Sequence, residues 1–374
     1  MLYNNNGDIY QTGIKFYGAG VNSLYPIWNG DDYEGFGTWA TQSELQAIVD
    51  AGAKVIRCPV IGFLPKPMRY MKINNVATEY RGSPAFYDHW DTIVARSEAI
   101  GLGILPVFFW NITTLPDLHS HNIGSGWGSA GDEQTYMTNF VSEFVNRYKS
   151  STSIWGWVFG NEVTRFIGTY NSFSGEFINT NYETPASRSA SDDMTLTQWQ
   201  SARDAFVAAV QTADTTFAYG SNKRLILTGN GYSKHLSVKG QIQPNLGAWL
   251  KGFDDIETQD GYTTHLYKSG YLWATDSRVS AFALLDALRK HSKSLGKVLV
   301  LDEWGIATDE IDRTNKFKVM ENAIIQADVQ LALYWEWTRT GADSLWNIRD
   351  DLIGRTHFSR IAAKIGSPRM VFSS

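Results

Sequence analysis

The chain has 374 residues, 43% of them hydrophobic, with a formal net charge of −5 and an isoelectric point near 5.8. Without a basic surplus to meet phosphate, a nucleic-acid partner is not expected, and no apolar run is long enough to cross a membrane. The length suits either two average domains or one barrel with insertions, and nothing in the sequence marks a domain boundary.

Residues 1–15 predict an N-terminal β-hairpin, because Asn5-Asn6-Gly7-Asp8 is a turn signal between short apolar pieces. The hairpin is expected to close the bottom of a barrel. The same stretch lacks the basic start and apolar run of a secretion signal, which leaves the compartment open between a cytoplasmic protein and a secreted or virion-associated one whose leader is absent. Lys15–Ser23 reads as the first barrel strand, and residues 24–40 follow as a loop carrying Tyr25, Trp28, Tyr33, Phe36 and Trp39. Thr41-Gln42-Ser43-Glu44 has capping-box spacing and opens a helix. Ala53–Val60 is the second strand, with Arg57 on the face of Val55, and the single cysteine, Cys58, reads as a buried inert thiol.

Phe86–Ile100 has helical periodicity, Gly103–Trp110 reads as the third strand, and Asn111–Asp132 as a loop rich in Gly, Ser and His. A helix over Glu133–Lys149 leads to the fourth strand, Ile154–Glu162. The irregular segment Val163–Asp193 has the length of a functional or disordered loop. Then come a helix over Met194–Thr216 and the fifth and sixth strands at Arg224–Gly229 and Gly261–Leu266. A helix over Ser277–Ser294 precedes the seventh strand, Lys297–Gly305. Arg313–Gln326 is helical, Gln330–Thr338 is the eighth strand, and Thr356–Lys364 is a last helix. Strands alternating with helices in this number predict a single-domain α/β (β/α)8 (TIM) barrel over 1–374, with long loops at its C-terminal face. An open doubly wound sheet would carry a Gly-rich phosphate loop after its first strand. Here that strand runs into Val21-Asn22-Ser23-Leu24-Tyr25-Pro26 instead.

The fourth and seventh strands are apolar runs that end in a carboxylate. In the fourth, Gly156, Val158, Gly160 and Glu162 share one face, with Trp155, Trp157 and Phe159 on the other. In the seventh, Leu299, Leu301 and Glu303 share a face, while Asp302 points away and reads as structural. Both glutamates are thereby expected to face inward at strand C-terminal ends, where barrels place their chemistry. Two such carboxylates are the minimum for cleaving a glycosidic bond, one protonating the leaving oxygen and the other attacking the anomeric carbon or activating water. Asn161 stands beside Glu162 and is within reach of a sugar hydroxyl. His265 and Tyr267 share a face of the sixth strand. A Tyr hydroxyl, or Arg57 by its charge, holds a nearby carboxylate ionised. Trp335 and Trp337 share a face at the end of the eighth strand and offer a floor for a sugar ring. Each residue also has a plainer reading, with a glutamate pairing with an arginine, Arg57 in a structural ion pair, or His265 satisfied in the core. The fourteen Trp and eighteen Tyr, many in polar loops, suit either sugar stacking or the pinning of long loops.

Together these pieces resemble the retaining glycosidases of glycoside hydrolase clan A, family 5 most closely. The matching positions are Gly18-Ala19-Gly20-Val21-Asn22 after the hairpin, Arg57, Asn161-Glu162, His265-x-Tyr267, Glu303 in Asp-Glu-Trp-Gly, and a Trp ending the eighth strand. The resemblance implies Glu162 as acid/base, Glu303 as nucleophile, and Asn161 as the partner of the sugar 2-hydroxyl. It further implies Arg57 and Tyr267 as supports of Glu303, His265 in the site lining, and Trp335 as platform with Trp337 second. The third strand departs from the family pattern. Many members carry a His near its end, whereas this chain has Phe108-Phe109-Trp110-Asn111, with His119 and His121 only later. Trp110 and Asn111 are accordingly expected in the substrate site, and the departure bears on the substrate subclass. No His-Glu-x-x-His spacing occurs, so neither metal nor cofactor is expected. The expected partner is a carbohydrate, with endo action on a β-linked glucan or mannan, and the oligomeric state stays open. The competing readings are a catalytically silent carbohydrate-binding barrel and an exo-acting β-glycosidase.

Overall fold

The structure, a computed structural model, describes residues 1–24, 40–61, 84–110, 112–113, 115–116, 121–128, 131–167, 194–230, 246–267, 280–338 and 345–366. The chain opens with β1 (Leu2–Asn5), β2 (Asp8–Gln11) and β3 (Ile14–Lys15), a small antiparallel sheet. Eight strands follow in a second sheet: β4 (Gly18–Asn22), β5 (Val55–Ile61), β6 (Gly103–Phe109), β7 (Gly156–Gly160), β8 (Leu225–Leu227), β9 (Gly261–Tyr267), β10 (Val298–Gly305) and β11 (Leu331–Tyr334). Every ladder in that sheet is parallel, and helices lie between strands along the chain. This is the (β/α)8 barrel expected from the alternation of elements.

The two faces of the strands bury different sets of side chains. Val55, Leu105, Val107, Val158, Leu225, Leu227, Val298, Val300, Leu331 and Leu333 form the interior cluster. The larger Phe108, Trp157, Phe159, Tyr262 and Trp304 pack outward against the helices. The interior is narrow. A Cβ on Gly20 would come within 2.4 Å of Leu333 and 2.5 Å of Val55, so only glycine fits there. The outer layer is largely aromatic: Phe108 meets Phe144 and Phe206 edge-on at 5.3 and 5.5 Å, and Phe159 meets Trp199 at 5.0 Å. Each such ring contributes about 1.5–3 kcal/mol by burial, plus a smaller gain from edge-to-face contact.

The N-terminal sheet does cap the barrel bottom. Leu2 and Ile9 join the interior cluster. Gln330 spans the junction, its Oε1 accepting from Ile9 N at 2.8 Å and its Nε2 donating to the Ile9 and Phe16 carbonyls, both at 3.0 Å. Arg289 adds a bond to the Gly7 carbonyl at 2.6 Å and an ion pair with Asp8. At the first helix, Gln42–Asp50, the expected capping box is present, with Thr41 N donating to Glu44 Oε2 at 2.7 Å and Glu44 N to Thr41 Oγ1 at 3.3 Å.

Closure between β8 and β9 differs from the rest of the barrel. Among the described residues no backbone ladder joins these two strands. Side chains bridge them instead: Ile226 N donates to Asp260 Oδ2 at 2.8 Å, Thr258 Oγ1 to the Ile226 carbonyl at 2.6 Å, and Asn230 N to Thr263 Oγ1 at 2.8 Å. Glu257 is buried in this seam, accepting from the hydroxyls of Thr228 and, at 3.2 Å, Thr263. Burial pushes its carboxyl up to about 8, the Thr228 hydroxyl pulling it down and Asp302 adding to the rise.

A carboxyl raised by folding favours the folded state while it keeps its proton. That contribution is complete below its ordinary value and is lost as pH climbs towards about 8. Glu257→Gln removes the titration. Its melting temperature is therefore expected to gain on that of the wild type between pH 5 and pH 9 in paired thermal scans. A constant difference across that range would remove Glu257 as the titrating group.

Candidate active site

β10 carries the feature that assembles the site. Val298 and Val300 face the interior while Leu299 and Leu301 face the helices, the reverse of the expected parity. By alternation Asp302, not Glu303, would point inward. The register against β9 then slips, with Leu301 opposite Thr264 and Glu303 opposite His265, and it slips at the same place against β11. This bulge sets two residues against one and turns both carboxylates into the barrel. The expectation that Asp302 points away is thus corrected: it is 2% exposed, 3.4 Å from Arg57 Nη2 and 3.4 Å from His265 Nε2.

Glu162 arrives differently. β7 ends at Gly160, short of the expected Glu162. Glu162 adopts a left-handed backbone with φ 48°, and its N–H donates to the Gly229 carbonyl at 2.8 Å, before the single 3-10 turn Val163–Phe166. A non-glycine residue there costs on the order of 1 kcal/mol, a strain found where a side chain must be aimed. Gly229 is itself left-handed, and a Cβ on it would lie 2.0 Å from the Gly160 carbonyl oxygen.

Arg57, fully buried on β5, holds the parts together. Its Nη1 donates to Glu303 Oε1 at 2.9 Å and Asn22 Oδ1 at 2.8 Å, and its Nη2 to Asn161 Oδ1 at 2.7 Å. The guanidinium lies over the Trp110 ring, 4.6 Å from its centre. Tyr267 Oη donates to Glu303 Oε2 at 2.6 Å. His265 Nδ1 lies 2.9 Å from Glu162 Oε1 and 3.2 Å from Glu303 Oε2. One oxygen of each glutamate and a His265 nitrogen all fall within 4.8 Å of one another.

Charge follows from this geometry. Burial pulls the His265 imidazole down, but the charges of Glu303 and Asp302, with the hydrogen bond to Glu162, outweigh it and push the ring up to about 10. Burial drives the Glu303 carboxyl above the ordinary carboxylate range. His265 and Arg57 pull it down, Glu162 pushes it up, and the Tyr267 hydroxyl pulls it down. Glu162, His265 and Glu303 are of metal-ligating types, but an imidazolium has no lone pair to give. Arg57 and His265 already supply positive charge, so the donor set fits a proton network better than a cation. Cys58 is buried with its thiol pushed up, which removes it from the chemistry.

No protein-family model matches this chain, and no curated protein matches it. Among solved structures it is similar to the endo-β-1,4-mannanase from Thermotoga petrophila, with TM-score 0.67, 15% identity, and coverage of 96% of this chain and 79% of that one. It is also similar to the endo-1,4-β-mannanase from Rhizomucor miehei, with TM-score 0.66, 14% identity, and coverage of 98% and 100%. An endoglucanase from Pseudomonas stutzeri follows at TM-score 0.58 and 15% identity, covering 91% and 93%. This chain has the barrel fold of those enzymes. The fold implied by the family 5 resemblance is therefore the fold present.

The other expected site residues divide. Trp110 and Trp335 meet, ring centres 5.7 Å apart, Trp335 half-buried and Trp110 beneath Arg57. Trp337 does not join them. β11 stops at Tyr334, so the alternation that put the two tryptophans on one face ends, and Trp337 is 2% exposed in the outer core with its N–H on the Asn22 carbonyl at 2.9 Å. It has no face to offer a sugar. Asn111 and His119 lie outside the described residues, as do the loop aromatics Tyr25, Trp28, Tyr33, Phe36 and Trp39. His121 bonds Glu133 at 2.9 Å, beside the helix Asp132–Tyr148. Two further members of the site are not among the expected residues. One is Asp302. The other is Asn22, whose Oδ1 takes Arg57 and whose Nδ2 donates to the Asp302 carbonyl at 2.8 Å. The inward parity of Asn22 with Gly18 and Gly20 was the available signal.

Proposed function

We propose that the protein is a retaining glycoside hydrolase of the family 5 kind, acting on β-linked glucans or mannans. The observation that carries this reading is the closeness of the two carboxylates, with oxygens of Glu162 and Glu303 within 4.8 Å. Retaining enzymes hold their carboxyls about 5–5.5 Å apart, whereas inverting enzymes leave about 6.5–9.5 Å for a water. Glu303 attacks the anomeric carbon while Glu162 protonates the leaving oxygen. Water deprotonated by Glu162 then releases the sugar with its configuration kept.

The surroundings support these roles. Arg57 and Tyr267 give Glu303 two donors and His265 a nearby positive charge, which favour its ionised form, while burial keeps it basic and so nucleophilic. Asn161 has its oxygen committed to Arg57, which leaves its NH2 to donate to the sugar 2-hydroxyl. Trp335, tilted against Trp110, is the platform for a sugar ring. The solved structures that the chain resembles include endo-acting mannanases and endoglucanases, which favours endo action.

The test is to incubate the protein with a panel of β-glucans, mannans, xylans and aryl glycosides, reading reducing ends and the first-formed anomer by NMR. Release of β-anomers from at least one glucan or mannan is expected. First-formed α-anomers would replace the retaining route, and binding without release from any substrate would make the protein a sugar-binding barrel.

A further inference from the structure

Asp302 has no part in the reaction as written above, yet the bulge places it at the centre of the charged cluster. Its two oxygens each face a cation at 3.4 Å, Arg57 on one side and His265 Nε2 on the other. Neither oxygen has a hydrogen-bond donor in normal geometry among the described residues. The carboxylate therefore acts by charge. The opposite edge of the same imidazole, Nδ1, lies 2.9 Å from Glu162 and 3.2 Å from Glu303. His265 thus stands between one carboxylate behind it and two in front.

We propose that Asp302 is a positioning residue, which holds His265 as an imidazolium with its Nδ1–H fixed between the two glutamates. The assignment to hydrolysis rests on the function proposed above; the protonation of His265 does not. The groups facing His265 are Glu162 from the turn after β7, Arg57 across the interior from β5, and Asp302 and Glu303 from β10. Tyr267 lies on its own strand, and Glu257 sits deeper in the seam. With every group charged, Glu162, Asp302 and Glu303 oppose Arg57 and His265, leaving one negative charge in excess. That excess is the place for one more proton, the one the acid delivers. Without Asp302 the surplus is gone, and the cluster gives up its protons at lower pH.

Asp302→Asn keeps the shape and removes the charge. In ring 15N NMR, assigned by the signal lost in His265→Gln, wild-type His265 is expected as an imidazolium at pH 7 to 8. In Asp302→Asn it is expected to titrate about 1–3 pH units lower, as for loss of one opposite charge at this range. The alkaline limb of kcat/KM should move to lower pH in the same direction, and Asp302→Glu should restore it. A neutral His265 in the wild type at pH 7 overturns the proposal, even if no variant folds. So does an unmoved His265 titration in Asp302→Asn, or a fall in activity with both limbs in place. Absence of turnover on any sugar, with the imidazolium present and shifted in the variant, would leave the Asp302–His265 relation standing and remove the hydrolase reading.

Discussion

Glu303→Gln is expected to cut hydrolysis of a polysaccharide substrate by about 10³-fold or more, which is about 4 kcal/mol of transition-state stabilisation at roughly 1.36 kcal/mol per decade. The amide keeps the contacts of Glu303 with Arg57 and Tyr267 in outline but has no charge to attack with. Glu162→Gln should behave differently. General acid catalysis is worth about 10²–10⁴-fold, and that loss should appear on natural leaving groups. On an aryl glycoside with a good leaving group the first step needs little acid help, so the variant should show a burst followed by slow release. The alanine variants separate the roles further. Azide replacing Glu162 opens the glycosyl-enzyme from the face of the departed group and gives a β-glycosyl azide. Azide replacing Glu303 attacks from the nucleophile's side and gives the α-azide. Near-wild-type rates in both glutamine variants would end the two-carboxylate mechanism, and exchanged azide products would exchange the roles.

The second large effect belongs to Arg57. Its guanidinium is fully buried and serves Asn22, Asn161, Glu303 and Asp302 together, with Trp110 against its flat face. Arg57→Met leaves buried carboxylates without one of their two counter-charges, and breaking such a pair from one side costs about 3–5 kcal/mol. A loss of that size in urea unfolding is expected, with activity abolished at temperatures where the variant is still folded. Arg57→Lys returns the charge but not the planar fork, so it should recover stability more than turnover. The double variant Arg57→Met, Glu303→Gln should be more stable than Arg57→Met alone, because the stranded charge is gone. Wild-type stability in Arg57→Met would mean that these carboxylates are held by something else.

The barrel is legible in the sequence because each strand is bounded by a turn or a helix signal, although the strand ends are less so. In β7 the facing is legible too, since the contrast of Gly156, Val158 and Gly160 with Trp157 and Phe159 is one of volume, and a narrow barrel sorts side chains by volume. In β10 that contrast is missing. Val298, Leu299, Val300 and Leu301 are all apolar and all buried, so alternation has nothing to report, and the bulge that follows leaves no mark in composition. Glu303 faces inward despite the reversed parity of β10, and the same bulge brings Asp302 in beside it. The eighth strand is shorter than its alternation implies, because Trp335 and Trp337 continue the pattern past Tyr334 where the strand stops. The helix Leu246–Ile256 is not among the expected elements; Gly247 and Gly252 lower its helix propensity.

The two glutamates stand on opposite sides of the seam, Glu162 following β7 and Glu303 on β10, with β8 and β9 between them. Elsewhere in the barrel the distance between neighbouring strands is fixed by peptide groups, which do not titrate. Here it is fixed by hydroxyls and carboxylates, Glu257 among them. Ionising Glu257 puts a charge inside that line of contacts, so the seam is expected to loosen in alkali before the peptide-paired strands do. Amide exchange at Ile226 and Asn230 that quickens above pH 8, while the strands of the far wall stay protected, would be the signature of a hinge built from side chains.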